Sequence, residues 1–406
     1  MKKMELGHLN IPKPEIERFS FAHNIQTRLY LQYSELVERT DIGQRVLSEL
    51  KSDPRVKELD GQMISTGSGA STFELKVLAM WLLWAINEFG QRAAEDHLNA
   101  FLGSPNITVI KTLWVLGIEA DERIQLADGL ELTPISEMPD SREKEYYLKH
   151  DFSATGHRQP KPKAAITFEV KVTKSFKGNE DPSKILERDK EFWESSKLLY
   201  DASLALNAID GTSCIPYFST AYTLPQVPIG LFGGSGGGSP QYDVIGHKIS
   251  KLTPDQADEI NSVITSFLDL PDNEKTRFSR VLSRLSQAKR RQQIEDKILD
   301  LGIALEMALL DDNKNHHQLS LSFRLRGSWL IAADETERLS IYGMLRDIYD
   351  YRSQVAHSGA LCGNDRKKIK AVRESFEDFS MVAERIVRKL IREGRPDWSK
   401  LLLGIV

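Results

Sequence analysis

The segment Leu345-Arg-Asp-Ile-Tyr-Asp-Tyr-Arg-Ser-Gln-Val-Ala-His357 decides the fold of the C-terminal third of the chain. Its apolar residues recur at the three- and four-residue spacing of an α-helix and continue a stripe that begins upstream. The members of this stripe are Leu339, Tyr342, Leu345, Tyr349, Arg352 and Ala356. Arg352 is the charged member, and a guanidinium on a core-facing stripe needs a hydrogen-bond partner.

The sequence around this segment is helical in pattern from Thr253 onward. Thr253-Pro-Asp-Gln256 has the residues of a helix N-cap, with proline at the first helical position and glutamine at the third. The spacing of apolar residues then predicts helices near 254–270, 273–288, 290–311, 317–332, 335–358 and 364–393. Antiparallel packing of these helices would give a bundle.

The N-terminal half has a different pattern of apolar and turn residues. Helical spacing occurs at 26–60, at 72–102 and near 183–205, while residues 106–230 are otherwise mainly short β-rich runs with turn residues between them. Residues 225–240 contain a Gly/Ser run, which is typical of a flexible connection and is either a native loop or an engineered spacer. We therefore predict an α+β protein with a mixed α/β N-terminal domain at 1–230, a linker at 231–252 and an all-α bundle at 253–406.

Composition limits the functional classes. The 406 residues carry a net charge of −4, so the overall charge does not by itself draw the protein to nucleic acid. Two cysteines are too few for a disulfide framework, and no Cys/His spacing predicts a metal site. No signal peptide and no apolar run of membrane-spanning length is evident, which predicts a cytoplasmic protein without membrane contact.

The spacing of an arginine and a histidine five residues apart occurs three times, so the spacing alone has little specificity. The copies are Arg18 to His23, Arg92 to His97 and Arg352 to His357. The first lies in a Pro-rich extended segment, and the second has two adjacent acids that would compete for the arginine. Only the third lies late in a predicted helix with an apolar stripe.

Three ordered segments resemble the Apea-like HEPN family. They are Lys297-Ile-Leu-Asp-Leu-Gly-Ile-Ala-Leu-Glu-Met-Ala-Leu-Leu310, Leu319-Ser-Leu-Ser-Phe-Arg-Leu-Arg-Gly-Ser-Trp-Leu330 and the segment that ends at His357. The resemblance implies a helical bundle that pairs into a symmetric homodimer, and metal-independent cleavage of RNA. It also implies that Arg352 holds the scissile phosphate, while His357 exchanges a proton with the 2′-hydroxyl or the leaving oxygen.

Helical geometry complicates this pairing. Five residues on an ideal helix rotate the side chain by about 500°, which leaves Arg352 and His357 roughly 140° apart around the axis. The two groups can meet if the helix unwinds near Ser358 and Gly359, or if a second copy brings another pair across the cleft. The site therefore calls for a dimer or a loosened final turn.

Several other residues are candidates for supporting roles. By the same resemblance, Glu306 is the family's acidic position and would orient an arginine such as Arg326 or Arg352, with a helix-helix salt bridge as the structural alternative. Ser353 stands where the family often has Asn or Asp, and Tyr349 lies one helical turn before it. No cofactor is implied.

A stripe of arginines at helical spacing is a candidate RNA-binding surface. It consists of Arg277, Arg280, Arg284 and Arg291. Such a stripe can follow a phosphate backbone, but it can equally be a solvated helix face.

Two functions follow from the sequence. The first is an endoribonuclease that acts as a toxin or antiviral defence effector, with the N-terminal half responding to a phage- or stress-derived trigger. The second is a noncatalytic HEPN-type module for dimerisation or RNA binding.

Overall fold

The computed structural model describes residues 9–12, 33–65, 69–138, 144, 161–228, 249–310 and 318–404. Arg18, His23 and the Gly/Ser run of the predicted linker lie outside these residues. Within the described part, the protein is mixed α/β, with a β-rich N-terminal half and a helical C-terminal half, as the sequence predicted at this level. The same residues contain no helix that is both long and apolar enough to cross a membrane.

The main sheet belongs to the N-terminal half and has five antiparallel strands in the order β5-β6-β7-β3-β9. Its strands are β3 (Asn106–Leu116), β5 (Ile124–Ala127), β6 (Leu130–Pro134), β7 (Ala164–Thr173) and β9 (Ile215–Thr223). A smaller antiparallel sheet contains β1 (Gln62–Ser65), β2 (Ala70–Thr72) and β8 (Ser175–Lys177), with β1 in the middle. These strands include the β-rich runs that were recognised by alternating apolar residues.

A third pair of strands joins the two halves. The strand β4 (Ile118–Ala120) pairs in parallel with β10 (Ser250–Leu252). The predicted linker at 231–252 therefore ends in a strand rather than in a flexible segment. Sequence could not indicate this, because three residues are too few to show an alternating pattern.

Seven helices precede β10 in the described residues. They are α1 (Ser34–Arg39), α2 (Asp41–Ser52), α3 (Pro54–Lys57), α4 (Leu75–Phe89), α5 (Gln91–Gly103), α6 (Pro182–Arg188) and α7 (Lys190–Ala205). The long helix expected at 72–102 is thus two helices. Gly90 separates them with a φ of 86°, a left-handed backbone conformation that glycine adopts without strain.

The helices of the C-terminal half follow the predicted pattern closely. They are α8 (Ala257–Leu268), α9 (Asp272–Arg290), α10 (Ile294–Leu309), α11 (Leu319–Ile331), α12 (Glu335–Ser358), α13 (Arg366–Glu393) and α14 (Trp398–Leu402). Thr253 and Gln256 form the reciprocal bonds of a capping box at the start of this half. The apolar face of α13 is buried, as its spacing predicted.

One face of the main sheet supports two hydrophobic cores. Side chains alternate along β3, so Ile107 and Val109 share a face with Leu113 and Val115. The first two belong to a core with the N-terminal helices, and the last two belong to a core that extends into the C-terminal helices. Helix α7 contributes to both cores, since Phe192 lies in the first and Leu199 in the second.

The second core crosses the predicted domain boundary. Helix α8 packs on β5, and α7 packs on both α8 and α9. The halves predicted at 1–230 and 253–406 consequently differ in secondary structure but share buried apolar residues.

A buried ion pair of the C-terminal half also makes hydrogen bonds to the N-terminal half. The Nζ atom of Lys289 on α9 lies 2.7 Å from the Oε1 atom of Glu384 on α13, and the two side chains are 8% and 1% exposed. Lys289 also donates to the carbonyl oxygens of Asn207 and Thr212, and Glu384 accepts from the backbone N–H of Gly211. Burial lowers the pKa of Lys289, and the charge of Glu384 opposes this shift.

Candidate active site

Helix α12 carries both residues of the predicted catalytic pair. Asp334 caps its N-terminus by accepting a hydrogen bond from the backbone N–H of Glu337. The helix stays α-helical through Ser358, and Gly359 ends it with a φ of 67°. The final turn is therefore not unwound, and the first of the two geometric routes by which Arg352 and His357 could meet is not observed.

Arg352 lies on the inner side of α12 and pairs with Glu306 on α10. Its Nη2 atom is 2.6 Å from Glu306 Oε2, and the two side chains are 27% and 23% exposed. The alternative in which Glu306 orients Arg326 is not observed. The Nε atom of Arg352 is buried and has no hydrogen-bond partner among the described residues. Of the five N–H donors of the guanidinium, the described residues engage one, through the Nη2 bond to Glu306.

Gly302 makes the approach of Arg352 possible. A Cβ atom at this position would lie 2.5 Å from Cγ and 2.7 Å from Cβ of Arg352. Gly302 precedes Glu306 by one turn of α10, so the same helix face supplies a notch for the stem of the arginine and a carboxylate for its head. Our sequence interpretation missed Gly302. Its signal was a glycine inside a strong helical pattern, which costs about 1 kcal/mol relative to alanine and so indicates a packing reason.

The carboxyl of Glu306 is not fully stabilised by its partner. Burial raises the pKa of Glu306 above its ordinary value, and the charge of Arg352 only partly opposes this rise. Burial therefore opposes the charged form of Glu306, and the ion pair with Arg352 favours it.

His357 faces away from the core. It is exposed and makes no hydrogen bond within the described part of the chain. At 100° per residue, Leu339, Arg346 and Asp350 fall within about 20° of His357 around the axis. All of these side chains are exposed. The sequence pattern placed Leu339 on the core-facing stripe with Arg352, but it is 68% exposed, because it lies about 140° from Arg352 around the helix axis. The structure therefore does not bring Arg352 and His357 together within one chain.

The predicted supporting residues have mainly packing roles in one chain. The ring of Tyr349 lies 5.4 Å from that of Phe323, and Ser353 is partly exposed beside Arg352 in sequence. Arg326 donates to the carbonyl oxygen of Leu309, which caps the C-terminal end of α10. Its guanidinium also lies 4.9 Å from the ring of Trp398.

The arginine stripe is not a free basic face in this structure. Arg277 is 9% exposed and pairs with Glu274, and Asp300 accepts hydrogen bonds from both Arg284 and Arg291. Asp300 is itself 4% exposed. Of the four arginines, Arg280 alone is exposed and without an ion pair among the described residues. Sequence missed the pairing of Arg284 and Arg291 because Asp300 lies on the following helix.

The second arginine and histidine with the same spacing, Arg92 and His97, lie on α5. His97 packs edge-to-face against Phe89, with ring centroids 5.7 Å apart. This contact agrees with the structural role expected for that copy.

Within the described ranges, no group of three or more His, Cys, Asp or Glu side chains is arranged to hold a metal ion. Comparison with protein-family models, with curated proteins and with solved structures finds no significant match to this chain. The candidate site therefore stands on its own residues and on their geometry.

Proposed function

We propose that this protein is a metal-independent endoribonuclease of the HEPN type, with its active cleft formed between two copies of the chain. The observation that carries the proposal is the Arg352–Glu306 pair in the notch above Gly302. It holds a partly exposed guanidinium in a fixed position through a single hydrogen bond among the described residues, from Nη2 to Glu306.

Cleavage of RNA requires few other groups from the protein. RNA supplies the 2′-hydroxyl nucleophile, so cleavage needs charge neutralisation at phosphorus and proton transfer. Arg352 offers a permanent planar donor group to a phosphate oxygen. His357 is the proposed proton-transfer group, and general acid-base catalysis contributes roughly 10²–10⁴-fold.

In the proposed homodimer, Arg352 of one copy and His357 of the other come close together. His357 lies on the outward stripe of α12 with Leu339, a large apolar side chain left exposed. Gly343 on the same helix has open space around the position of a Cβ atom, so a partner backbone can approach closely there. The proposed two-fold contact extends from this stripe to the partly exposed guanidinium of Arg352, so that His357 of one copy lies beside Arg352 of the other.

The first experiment measures RNA cleavage by the unaltered protein and by Arg352→Ala and His357→Ala, with and without a chelator. Arg373→Ala is the matched control, because Arg373 is an exposed arginine on α13, outside the α12 stripe. We expect both site variants to lose at least about 100-fold in cleavage rate, and Arg373→Ala and the chelator to have little effect. Unchanged cleavage by both site variants would refute the proposal.

A mixing experiment tests the composite site. If Arg352 of one copy works with His357 of the other, a mixed dimer of the two inactive variants contains one intact site. Random exchange of subunits should then restore about one quarter of the activity, because half of the dimers are mixed and each has half of its sites intact. No recovery after demonstrated exchange would contradict pairing across the dimer.

The noncatalytic alternative also has an observation in its favour. Arg352 already has a counter-ion, so the pair can serve as a salt bridge between α10 and α12. A dimer that forms through α12 but cleaves no RNA would support that function. For the nuclease, we propose that the protein is a toxin or antiviral defence effector whose N-terminal half responds to a phage- or stress-derived trigger or restrains the active dimer.

A further inference from the structure

A cavity of about 650 Å³ opens between the two hydrophobic cores on the inner face of the main sheet. Its volume falls within the range of roughly 300–1,000 Å³ that is typical of small-molecule sites. The walls are mainly apolar. Representative side chains are those of Leu113, Val172, Phe176, Phe192, Leu199 and Ala221.

Lys111 is the one basic side chain among the described residues that line this cavity. It is 5% exposed, and its Nζ atom donates to the carbonyl oxygen of Phe192 and to Ser196 Oγ. The same atom lies 4.0 Å from the centre of the Phe192 ring. An ammonium group has three N–H donors, so one donor has no acceptor among the described residues.

Lys111 also lacks a counter-ion. No described carboxylate lies within salt-bridge distance of it, in contrast to Lys289, which has Glu384. Burial without a compensating charge lowers the pKa of Lys111. Asp189 is the acidic residue of the lining, but its Oδ1 atom already accepts from the backbone N–H and the hydroxyl of Thr173.

Two aromatic side chains on α7 stand at the rim of the cavity. Trp193 is 53% exposed and Tyr200 is 42% exposed, although both are large and partly apolar. They are seven residues apart and therefore share one face of the helix. If the apolar part of a bound ligand extends out of the cavity, these two rings would cover it.

We propose that this cavity binds a small organic carboxylate with an apolar body. The carboxylate accepts a hydrogen bond from Lys111 Nζ, and the apolar body lies against the residues between the two cores. The ligand supplies the negative charge that the protein does not place beside Lys111. This site is separate from the α12 site and does not depend on the ribonuclease activity.

The test compares octanoate with 1-octanol by isothermal titration calorimetry on the full chain. The two probes share an alkyl chain and differ in charge. We expect octanoate to bind at least about tenfold more tightly, because a hydrogen bond to a charged group is roughly twice as strong as a neutral one. Equal affinities, or binding of neither probe, would overturn the proposal.

Two lysine variants identify the group responsible. Lys111→Met should abolish the preference for octanoate while keeping the binding of 1-octanol. Lys174→Met is the matched control, because Lys174 is also buried, donates to the carbonyl oxygen of Phe101 and does not line the cavity. A preference that survives in Lys111→Met, or disappears in Lys174→Met, counts against the site.

A rim variant keeps the test decisive if Lys111→Met does not fold. Trp193→Ala removes an exposed ring and should weaken both probes by a similar factor, since the ring contacts the shared alkyl chain. Unchanged affinity for both probes would mean that they bind elsewhere, which contradicts the proposal.

Discussion

The Lys289–Glu384 and Arg352–Glu306 pairs both join two helices of the C-terminal half, but their surroundings differ. The first pair is 8% and 1% exposed, and its polar atoms have further backbone partners. The second is 27% and 23% exposed and retains an unpartnered Nε atom. Both contain a cation and a glutamate, so residue type does not separate them.

The difference shows how a structural ion pair is distinguished from a candidate site. A fully buried pair with complete hydrogen bonding has no room for another anion, and removing one partner leaves an isolated charge in the interior. A pair at the surface with spare donors can exchange its carboxylate for a ligand. We therefore assign Lys289 and Glu384 to folding, and Arg352 to the proposed chemistry.

The largest expected effect comes from removing one charge of the buried pair. Lys289→Met should lower the free energy of unfolding by about 3–5 kcal/mol, because Glu384 would remain buried without a counter-ion. Arg352→Met should cost only about 1 kcal/mol, because Glu306 can regain water. Urea denaturation of both variants measures the difference.

A double variant provides the control for this comparison. Lys289→Met combined with Glu384→Met removes both charges and should recover much of the lost stability. If Lys289→Met and Arg352→Met have equal costs, the distinction between the two pairs is wrong.

The second effect concerns the notch beneath Arg352. Gly302→Ala would push a methyl group against the arginine stem and should cost about 1–3 kcal/mol. Gly343→Ala is the matched control on α12, where no atom lies within 4 Å of the added Cβ. It should stabilise the isolated chain by about 0.5–1 kcal/mol. Thermal and urea unfolding test both values, and a neutral Gly302→Ala would show that the notch is not needed.

The smallest effect is the dependence of stability on pH through Glu306. Its folded pKa is raised, so the folded state binds the proton more tightly than the unfolded state does. Stability from this group is therefore greatest at low pH and falls as the pH rises from the ordinary glutamate pKa through the folded pKa.

Glu306→Gln removes this titration. Its stability relative to the unaltered protein should rise as the pH increases from about 4 to about 7. Urea denaturation across this range provides the measurement. A stability difference that stays constant, or falls, would mean that burial does not govern the carboxyl of Glu306.

Local pattern was sufficient for much of the fold. Apolar spacing placed α9 near 273–288, and the structure has Asp272–Arg290. It also identified the β-rich N-terminal half, since alternation over several residues is a property of the strand itself. The break at Gly90 escaped detection because the apolar residues on both sides continue a helical spacing.

Only part of the candidate site could be predicted from the sequence. The apolar stripe required a partner for Arg352, and Glu306 was the predicted carboxylate, with Arg326 or Arg352 as its arginine. That Gly302 receives the arginine stem, and that Asp300 pairs with both Arg284 and Arg291, depends on how α9, α10 and α12 cross. These contacts join residues on different helices and leave no periodic signal.

The sequence by itself determined which segments are helical or extended, and that the arginine on the α12 stripe could not stay unpaired. These properties follow from local spacing and from the cost of burying a charge. The tertiary structure decided which glutamate pairs with Lys289 and which with Arg352, and that two cores share one sheet face. It also placed Lys111 between these cores, with no counter-ion among the described residues. Such choices among chemically equivalent partners depend on packing between distant segments, which no local spacing encodes.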